Sequence, residues 1–301
     1  MKRVLVTGAT GFIGRHTLSA LVSRGFEVHA VSHVGPAQSQ TGICWHPADL
    51  REQAELKRLV IEVGASHLLH LAWYALPKDY RFSLENVRWV QASIELIRAF
   101  HEAGGERAVV AGTCFEYDAR YGFCSEALTP LNPSTLYGVC KSSLQQILTA
   151  YSEQSGLSIA WARIFFLYGP FEAPGRLVSS VAAGLVQRQP VKCSHGNQLR
   201  DFMHVADVAS ALSALTDSMV KGAVNIGSGM AVPLRDIIFG LADEAGGRDL
   251  IRLGAIPVPA DEPPMIAADI RRLRDEVGWQ PSIRLKQGLA ETARWWSAQL
   301  R

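Results

Sequence analysis

Thr7-Gly8-Ala9-Thr10-Gly11-Phe12-Ile13-Gly14 is the stretch on which the reading of this chain turns. It follows the short apolar run Val4-Leu5-Val6 and opens a segment of helical period, so its glycines sit where a strand passes into a helix. Gly8 permits the tight turn, Gly11 lets the backbone approach a ligand closely, and Gly14 lets the helix pack against the strand. The free N–H groups and dipole at that helix start favour an anion. The loop therefore reads as a pyrophosphate cradle for a dinucleotide, with Gly8, Gly11, Phe12, Ile13 and Gly14 against the cofactor.

The surrounding sequence repeats the same alternation. Strands are expected at Arg3–Val6, Glu27–Val31, Ile43–Trp45, His67–Leu71, Arg107–Ala111 and Ser158–Arg163, and helices at Ile13–Arg24, Glu52–Val63, Leu84–Glu102 and Pro133–Gln154. Gly25, Gly64, Gly104 and Gly156 follow those helices where a left-handed cap is wanted. Right-handed crossovers then give an α/β fold with a doubly wound parallel sheet of the Rossmann type. After Leu167 the rhythm gives way to loops rich in Pro and Gly. Residues 1–167 are read as the dinucleotide-binding domain, and 168–301 as a smaller, mainly substrate-binding domain that partly returns to the sheet. Ligands are expected at the carboxyl ends of the strands.

Composition narrows the class. The 301 residues are 48% hydrophobic, enough for a large core, and 30 Lys and Arg against 28 Asp and Glu leave a scattered charge of +2. Nucleic acid and membrane surfaces select for clustered cations, so neither is an expected partner. Five cysteines without a CxxC pair fit a reduced compartment. With no signal-like start and no long apolar span, the expected location is the cytoplasm. The histidines form no ligand set at metal spacing, so no metal is expected.

The second strand should end beside the adenosine ribose. It reads Val28-His29-Ala30-Val31-Ser32-His33, without the carboxylate that would bond a free 2′-hydroxyl and repel a 2′-phosphate. NADP(H) is therefore favoured and NAD(H) second, with Ser32 and His33 at the ribose and Arg15 as a helper.

Tyr137-Gly-Val-Cys-Lys141 is a YxxxK on an expected helix, its spacing of four placing phenol and ammonium on one face. With the glycine loop, Asp49-Leu50, His70-Leu71-Ala72, Arg163-Ile-Phe-Phe-Leu-Tyr-Gly-Pro170, Arg200-Asp-Phe-Met-His-Val-Ala-Asp-Val208, Asn225-Ile-Gly-Ser-Gly229 and Gly278-Trp279, the chain resembles, in order and over its whole length, an extended short-chain dehydrogenase/reductase that modifies nucleotide sugars. The resemblance implies that Asp49, Leu50, Leu71 and Ala72 touch the cofactor, that Lys141 holds the nicotinamide ribose, and that Thr113 bonds the reacting sugar oxygen. A phenol titrates near pH 10, and a nearby cation is worth roughly 4 kcal/mol at an effective dielectric of about 20, about three pKa units. Lys141 is thus expected to bring Tyr137 close to neutrality, where acid–base catalysts work best.

The resemblance also implies a diphosphate contact at Arg200, with Arg176 a second candidate, and places Cys114 and Phe166 at the sugar. Three departures bear on the reaction. Pro257-Val-Pro-Ala260 lacks the further phosphate-binding Arg of many sugar-nucleotide epimerases. Cys114-Phe115 replaces the Asp-Glu pair that 4,6-dehydratases need. Phe166 replaces the Asn of many 4-epimerases. The expected reaction is reduction of the C4 ketone of a nucleotide-linked 4-keto-6-deoxyhexose; the alternative is an NAD-dependent nucleotide-sugar 4-epimerase. A non-catalytic dinucleotide sensor is a third reading, opposed by the retained Thr113, Tyr137 and Lys141. The two long helices Leu84–Glu102 and Pro133–Gln154 are expected to pair in a homodimer.

Overall fold

A computed structural model describes residues 2–33, 42–77 and 79–300. In chain order the first part contains β1 (Arg3–Thr7), α1 (Gly14–Ser23), β2 (Glu27–Ser32), β3 (Ile43–Pro47), α2 (Gln53–Val63), β4 (His67–His70), α3 (Glu85–Glu102), β5 (Arg107–Thr113), β6 (Phe123–Cys124), α4 (Leu136–Ser155) and β7 (Ser158–Ile164). It continues with β8 (Phe166–Tyr168), α5 (Leu177–Val186), β9 (Val191–Lys192), β10 (Leu199–His204), α6 (Val205–Asp217), β11 (Gly222–Ile226), β12 (Ala231–Pro233), α7 (Leu234–Ala245), β13 (Ile251–Arg252), β14 (Met265–Ala268), α8 (Arg271–Asp275) and α9 (Leu285–Gln299).

A seven-stranded parallel sheet runs in the order β11-β7-β5-β4-β1-β2-β3, so the strand order reverses beside β1. The central strands β4, β5 and β7 are buried along their whole length because both faces are covered, whereas the edge strand β3 is partly exposed. Val4 and Val6 pack with Leu18 and Leu21 of α1 and Leu212 of α6, whereas Leu5 between them packs on the opposite face with Leu56 of α2, Leu96 of α3 and Leu144 of α4. The period-two alternation of a strand splits one apolar run between two cores. Burying a Leu or Val completely on either side contributes about 1.5–3 kcal/mol.

The expected helices are present within a few residues of their bounds. The largest difference is the start of α4, where Thr135, not Pro133, caps the helix by accepting the Gly138 N–H at 3.2 Å. Gly64 and Gly156 close their helices with φ of 54° and 80°, a conformation that costs a Cβ-bearing residue stability. β5 extends to Thr113, two residues beyond the expected end, which carries that hydroxyl to the rim of the sheet.

A second sheet, β12-β10-β14-β6 with β8 beside β10, joins β6 and β8 to strands from the last third of the chain, which also forms a cluster in which Trp296 of α9 packs with residues of α5 and α7. β11 nevertheless pairs with β7 at the edge of the main sheet, and α6 lies against α1. Among the described residues, no helix is long and apolar enough to cross a membrane.

Candidate active site

A cleft of about 1150 Å³ lies at the carboxyl ends of the main strands, beside the point where their order reverses. Its walls include every site residue expected from the sequence: Gly8, Gly11, Phe12, Ile13, Gly14, Ser32, His33, Asp49, Leu50, Leu71 and Ala72 towards one end, and Thr113, Cys114, Tyr137, Lys141, Phe166, Arg176 and Arg200 beyond them.

The glycine loop has the geometry a dinucleotide cradle needs. Gly8 has φ of 69°, and a Cβ there would lie 2.7 Å from the Ala72 nitrogen; at Gly14 a Cβ would lie 2.1 Å from the Gly8 carbonyl oxygen. Both positions are closed by backbone. At Gly11 the one close neighbour of a Cβ among the described residues, its chain neighbours aside, is the Gly8 oxygen, at 3.1 Å, which leaves room for a ligand. No side chain caps α1 and no acid occupies its first turn, leaving the helix start suited to an anion.

At the end of β2, Ser32 is buried and His33 exposed. Arg51, which the sequence reading missed, also lines the cleft and grips Asp49 with Nε at 3.0 Å and Nη2 at 2.7 Å. Those hydrogen bonds hold the Asp49 carboxyl at about pKa 2. Arg15, the expected helper, is not among the cleft-lining residues: its Nη2 donates to the Thr10 carbonyl at 2.8 Å and its guanidinium lies 4.3 Å over the Phe171 ring.

At the centre, the Thr113 side chain acts on the Tyr137 phenol, lowering a pKa that burial raises, and the Tyr137 backbone N–H donates to the Arg81 carbonyl at 3.0 Å. The rings of Tyr80 and Trp73 stand edge-on to Tyr137 at 5.1 and 6.4 Å. Lys141 is buried, and its Nζ donates to the Ala111 carbonyl at 2.7 Å while lying 3.6 Å from the centre of the Trp73 ring. Here the electrostatic expectation needs correction. Burial pushes the Tyr137 phenol above its ordinary value instead of towards neutrality, and brings Lys141 down to about 7. The sequence argument counted only the attraction of the cation; in a buried site desolvation opposes both charges.

Thr113 is held from behind by Glu116, which accepts the Thr113 N–H at 2.7 Å, the Trp161 indole N–H at 2.9 Å and the Arg163 Nε at 2.8 Å. Glu116 has no exposed surface. The sequence reading missed it as well, although the capping-box pattern Thr113-Cys-Phe-Glu116 is a signal that could have found it. His70, at the end of β4, lies 2.6 Å from Thr7 Oγ1 and 2.8 Å from Ser93 Oγ, and burial lowers its pKa to about 3, so it ties two strands and α3 together as a neutral ring.

Beyond the centre, Arg200 is buried and ion-paired with Glu262, while also donating to the carbonyls of Leu199 and Pro263 at 2.8 Å each. Arg176 donates to the Tyr80 hydroxyl at 3.2 Å and stacks 4.6 Å over its ring. Phe166 packs between Phe115 and Phe202, at 6.0 and 5.5 Å. The Cys114 thiol is buried and pushed above the ordinary cysteine range, so it is not a nucleophile.

Glu172 lines the same cleft, accepts the Ser179 N–H at 2.9 Å, and is raised to about pKa 8 by burial. A folded-state pKa above the unfolded one means that the native protein binds the extra proton, so stability falls as pH rises from about 4.5 to about 8. Glu172→Gln is expected to flatten that part of the Tm–pH profile and to melt a few degrees above the parent at pH 8.5; thermal scans across pH check this.

Residues 4–227 match the NAD dependent epimerase/dehydratase family. UDP-glucuronic acid decarboxylase 1 of Xenopus tropicalis is 27% identical over 314 residues, spanning 99% of this chain and 73% of the relative. UDP-glucuronate 4-epimerase 1 of Arabidopsis thaliana is 27% identical, spanning 97% and 76%. Among solved structures, the Thermus thermophilus UDP-glucose 4-epimerase with NAD superposes with a TM-score of 0.85 at 25% identity, over 98% of both chains. MoeE5 with UDP-glucose and NAD gives 0.85 at 30% identity, over 99% of this chain and 100% of that one. The chain belongs to the NAD dependent epimerase/dehydratase family and is an enzyme of the extended short-chain dehydrogenase/reductase type.

Proposed function

We propose that this enzyme moves a hydride between a nicotinamide dinucleotide and C4 of a nucleotide-linked hexose, with Tyr137 as the acid–base group. The observation that carries the proposal is the meeting of Thr113, Tyr137 and Lys141 in one cleft with a glycine cradle, and with Arg176 and Arg200 further along the same walls. A bound dinucleotide supplies or accepts the hydride. Gly8, Gly11, Gly14 and the start of α1 hold its pyrophosphate, and Lys141 holds the nicotinamide ribose.

In the reducing direction the Tyr137 hydroxyl gives its proton to the C4 oxygen as negative charge develops there. Thr113, beside Tyr137 in the cleft, orients the sugar oxygen, and Lys141 stabilises the phenolate left behind. The raised phenol pKa suits the protonated starting form that a reductase requires. Residues 168–301 provide most of the substrate side, with Arg176 and Arg200 at the diphosphate.

Net reduction of a 4-keto-6-deoxyhexose is the preferred direction. The Phe115–Phe166 pair offers the sugar an apolar wall that suits a methyl better than a hydroxymethyl group, and no acidic pair follows Thr113 for dehydration. The β2 end without a carboxylate, with Arg51 beside it, favours NADP(H) over NAD(H). A 4-epimerase is the second reading, favoured by the NAD in the Thermus relative; there Tyr137 first takes a proton from the C4 hydroxyl and later returns it. Exposed Val87 on α3 and Val139 and Ile147 on α4 fit a homodimer built on those helices.

Nicotinamide absorbance during incubation with NADPH or NADH and a panel of nucleotide-linked 4-keto-6-deoxyhexoses tests the direction. The expected result is stoichiometric oxidation, faster with NADPH. Interconversion of a sugar nucleotide and its C4 epimer, without net oxidation, would establish the epimerase instead.

A further inference from the structure

Trp73 follows β4 immediately after Leu71 and Ala72, and its indole forms part of the cleft wall. The ring is fixed. Its N–H donates to Asn86 Oδ1 at 2.8 Å, and the fully buried Asn86 spends its amide donors on the carbonyls of Tyr80 at 2.6 Å and Ser83 at 2.8 Å. With both donors committed, the Asn86 oxygen has to face the indole. The face so fixed lies 3.6 Å from the Lys141 ammonium, while a second indole, Trp161, stands further off at 6.0 Å.

The groups around Lys141 leave few ways to keep it charged. The carboxylate that raises its pKa is Glu116, and Glu116 is already engaged by Thr113, Trp161 and Arg163. Lys141 donates directly to a neutral carbonyl, that of Ala111. An aromatic face attracts a cation electrostatically, most strongly for Trp and in a desolvated site. Unlike a carboxylate, it takes up none of the three ammonium donors, so those not given to Ala111 stay available for ribose hydroxyls.

We propose that Trp73, held by Asn86, is a positioning residue that keeps Lys141 protonated and aimed at the nicotinamide ribose. The proposal rests on the reading of Lys141 as the ribose-holding ammonium, and it is tested without any sugar, so that failure to turn over a nucleotide sugar and failure of this role are separate results.

The test is the affinity for the dinucleotide, by calorimetry from pH 6 to 9, in the parent, Trp73→Leu, Trp73→Phe and Lys141→Met, and in a series with a progressively fluorinated indole placed only at position 73. The fluorinated series keeps the shape of the side chain and guards against misfolding of Trp73→Leu. Removing the ring face makes the ammonium easier to deprotonate, so the pH above which affinity falls moves to lower values. The expected shift for Trp73→Leu is about one pH unit, or roughly tenfold weaker binding on the alkaline side. The fluorinated series should shift stepwise in the same direction, Trp73→Phe should shift less than Trp73→Leu, and Lys141→Met should lose the limb. An unmoved limb across the fluorinated series, a Trp73→Phe shift as large as that of Trp73→Leu, or a limb that survives in Lys141→Met overturns the proposal.

Discussion

Tyr137→Phe is expected to lower kcat by about 10²–10⁴-fold, the range that a positioned acid–base group contributes, while dinucleotide affinity changes little. The substitution removes one oxygen. It leaves the ring between Tyr80 and Trp73, and it leaves the backbone bond to Arg81, so the wall of the cleft survives. What is lost is the hydroxyl that would carry the C4 proton. Because burial raises the phenol pKa, the protonated form persists through neutral pH, and the reductive rate of the parent should show no fall from Tyr137 ionisation below pH 8. Steady-state kinetics with a titration of the dinucleotide checks both halves. A variant with near-parent kcat would remove Tyr137 from the mechanism.

Glu116→Ala carries the largest expected effect on stability. Its carboxylate is fully buried and ion-paired to Arg163, whose side chain is 3% exposed, at 2.8 Å. Removing it strands a guanidinium away from water and leaves the Thr113 and Trp161 N–H groups without their acceptor. Breaking one half of such a pair costs about 3–5 kcal/mol, because the remaining charge is uncompensated. In a chain of this size the melting temperature should fall by roughly 10 °C. Since Glu116 also anchors the Thr113 backbone, kcat should fall with it. Circular dichroism melts and turnover on the same preparations measure the two effects together. A melting point within a few degrees of the parent would mean that Arg163 finds another partner, such as the Tyr117 hydroxyl 3.1 Å from its Nη1.

The parts of the site legible in the sequence are those set by local backbone demands. Gly8 and Gly14 are needed because a Cβ would strike the backbone, and such positions announce themselves in any sequence that folds this way. Tyr137 and Lys141 are one helical turn apart, so their shared face follows from spacing alone. The alternation of strands and helices was readable because the central strands are buried on both faces. What stayed hidden depends on side chains meeting from distant segments. Trp73 over Lys141, Glu262 against Arg200 and Arg15 on Phe171 join loops whose paths no periodicity fixes. The direction of the Tyr137 and Lys141 shifts was missed for another reason: a sequence shows which charges exist, not how much water is left around them.

Arg200 illustrates the boundary between the two. Its place in the Arg200-Asp-Phe motif was readable, but its pairing with Glu262 was not, and that carboxylate competes for the same guanidinium that a diphosphate would use. A substrate diphosphate at this end has to displace Glu262 or share the fork with it.

In either direction of net reaction, the proposed mechanism passes a hydride between the nicotinamide and C4 of the sugar. The most direct measurement uses reduced dinucleotide deuterated at C4 of the nicotinamide, a nucleotide-linked 4-keto-6-deoxyhexose, and mass spectrometry with NMR of the product. The account predicts a sugar alcohol one mass unit heavier with deuterium on C4, formed by the parent and not by Tyr137→Phe. Product alcohol without deuterium at C4, or deuterium at another carbon, would contradict it.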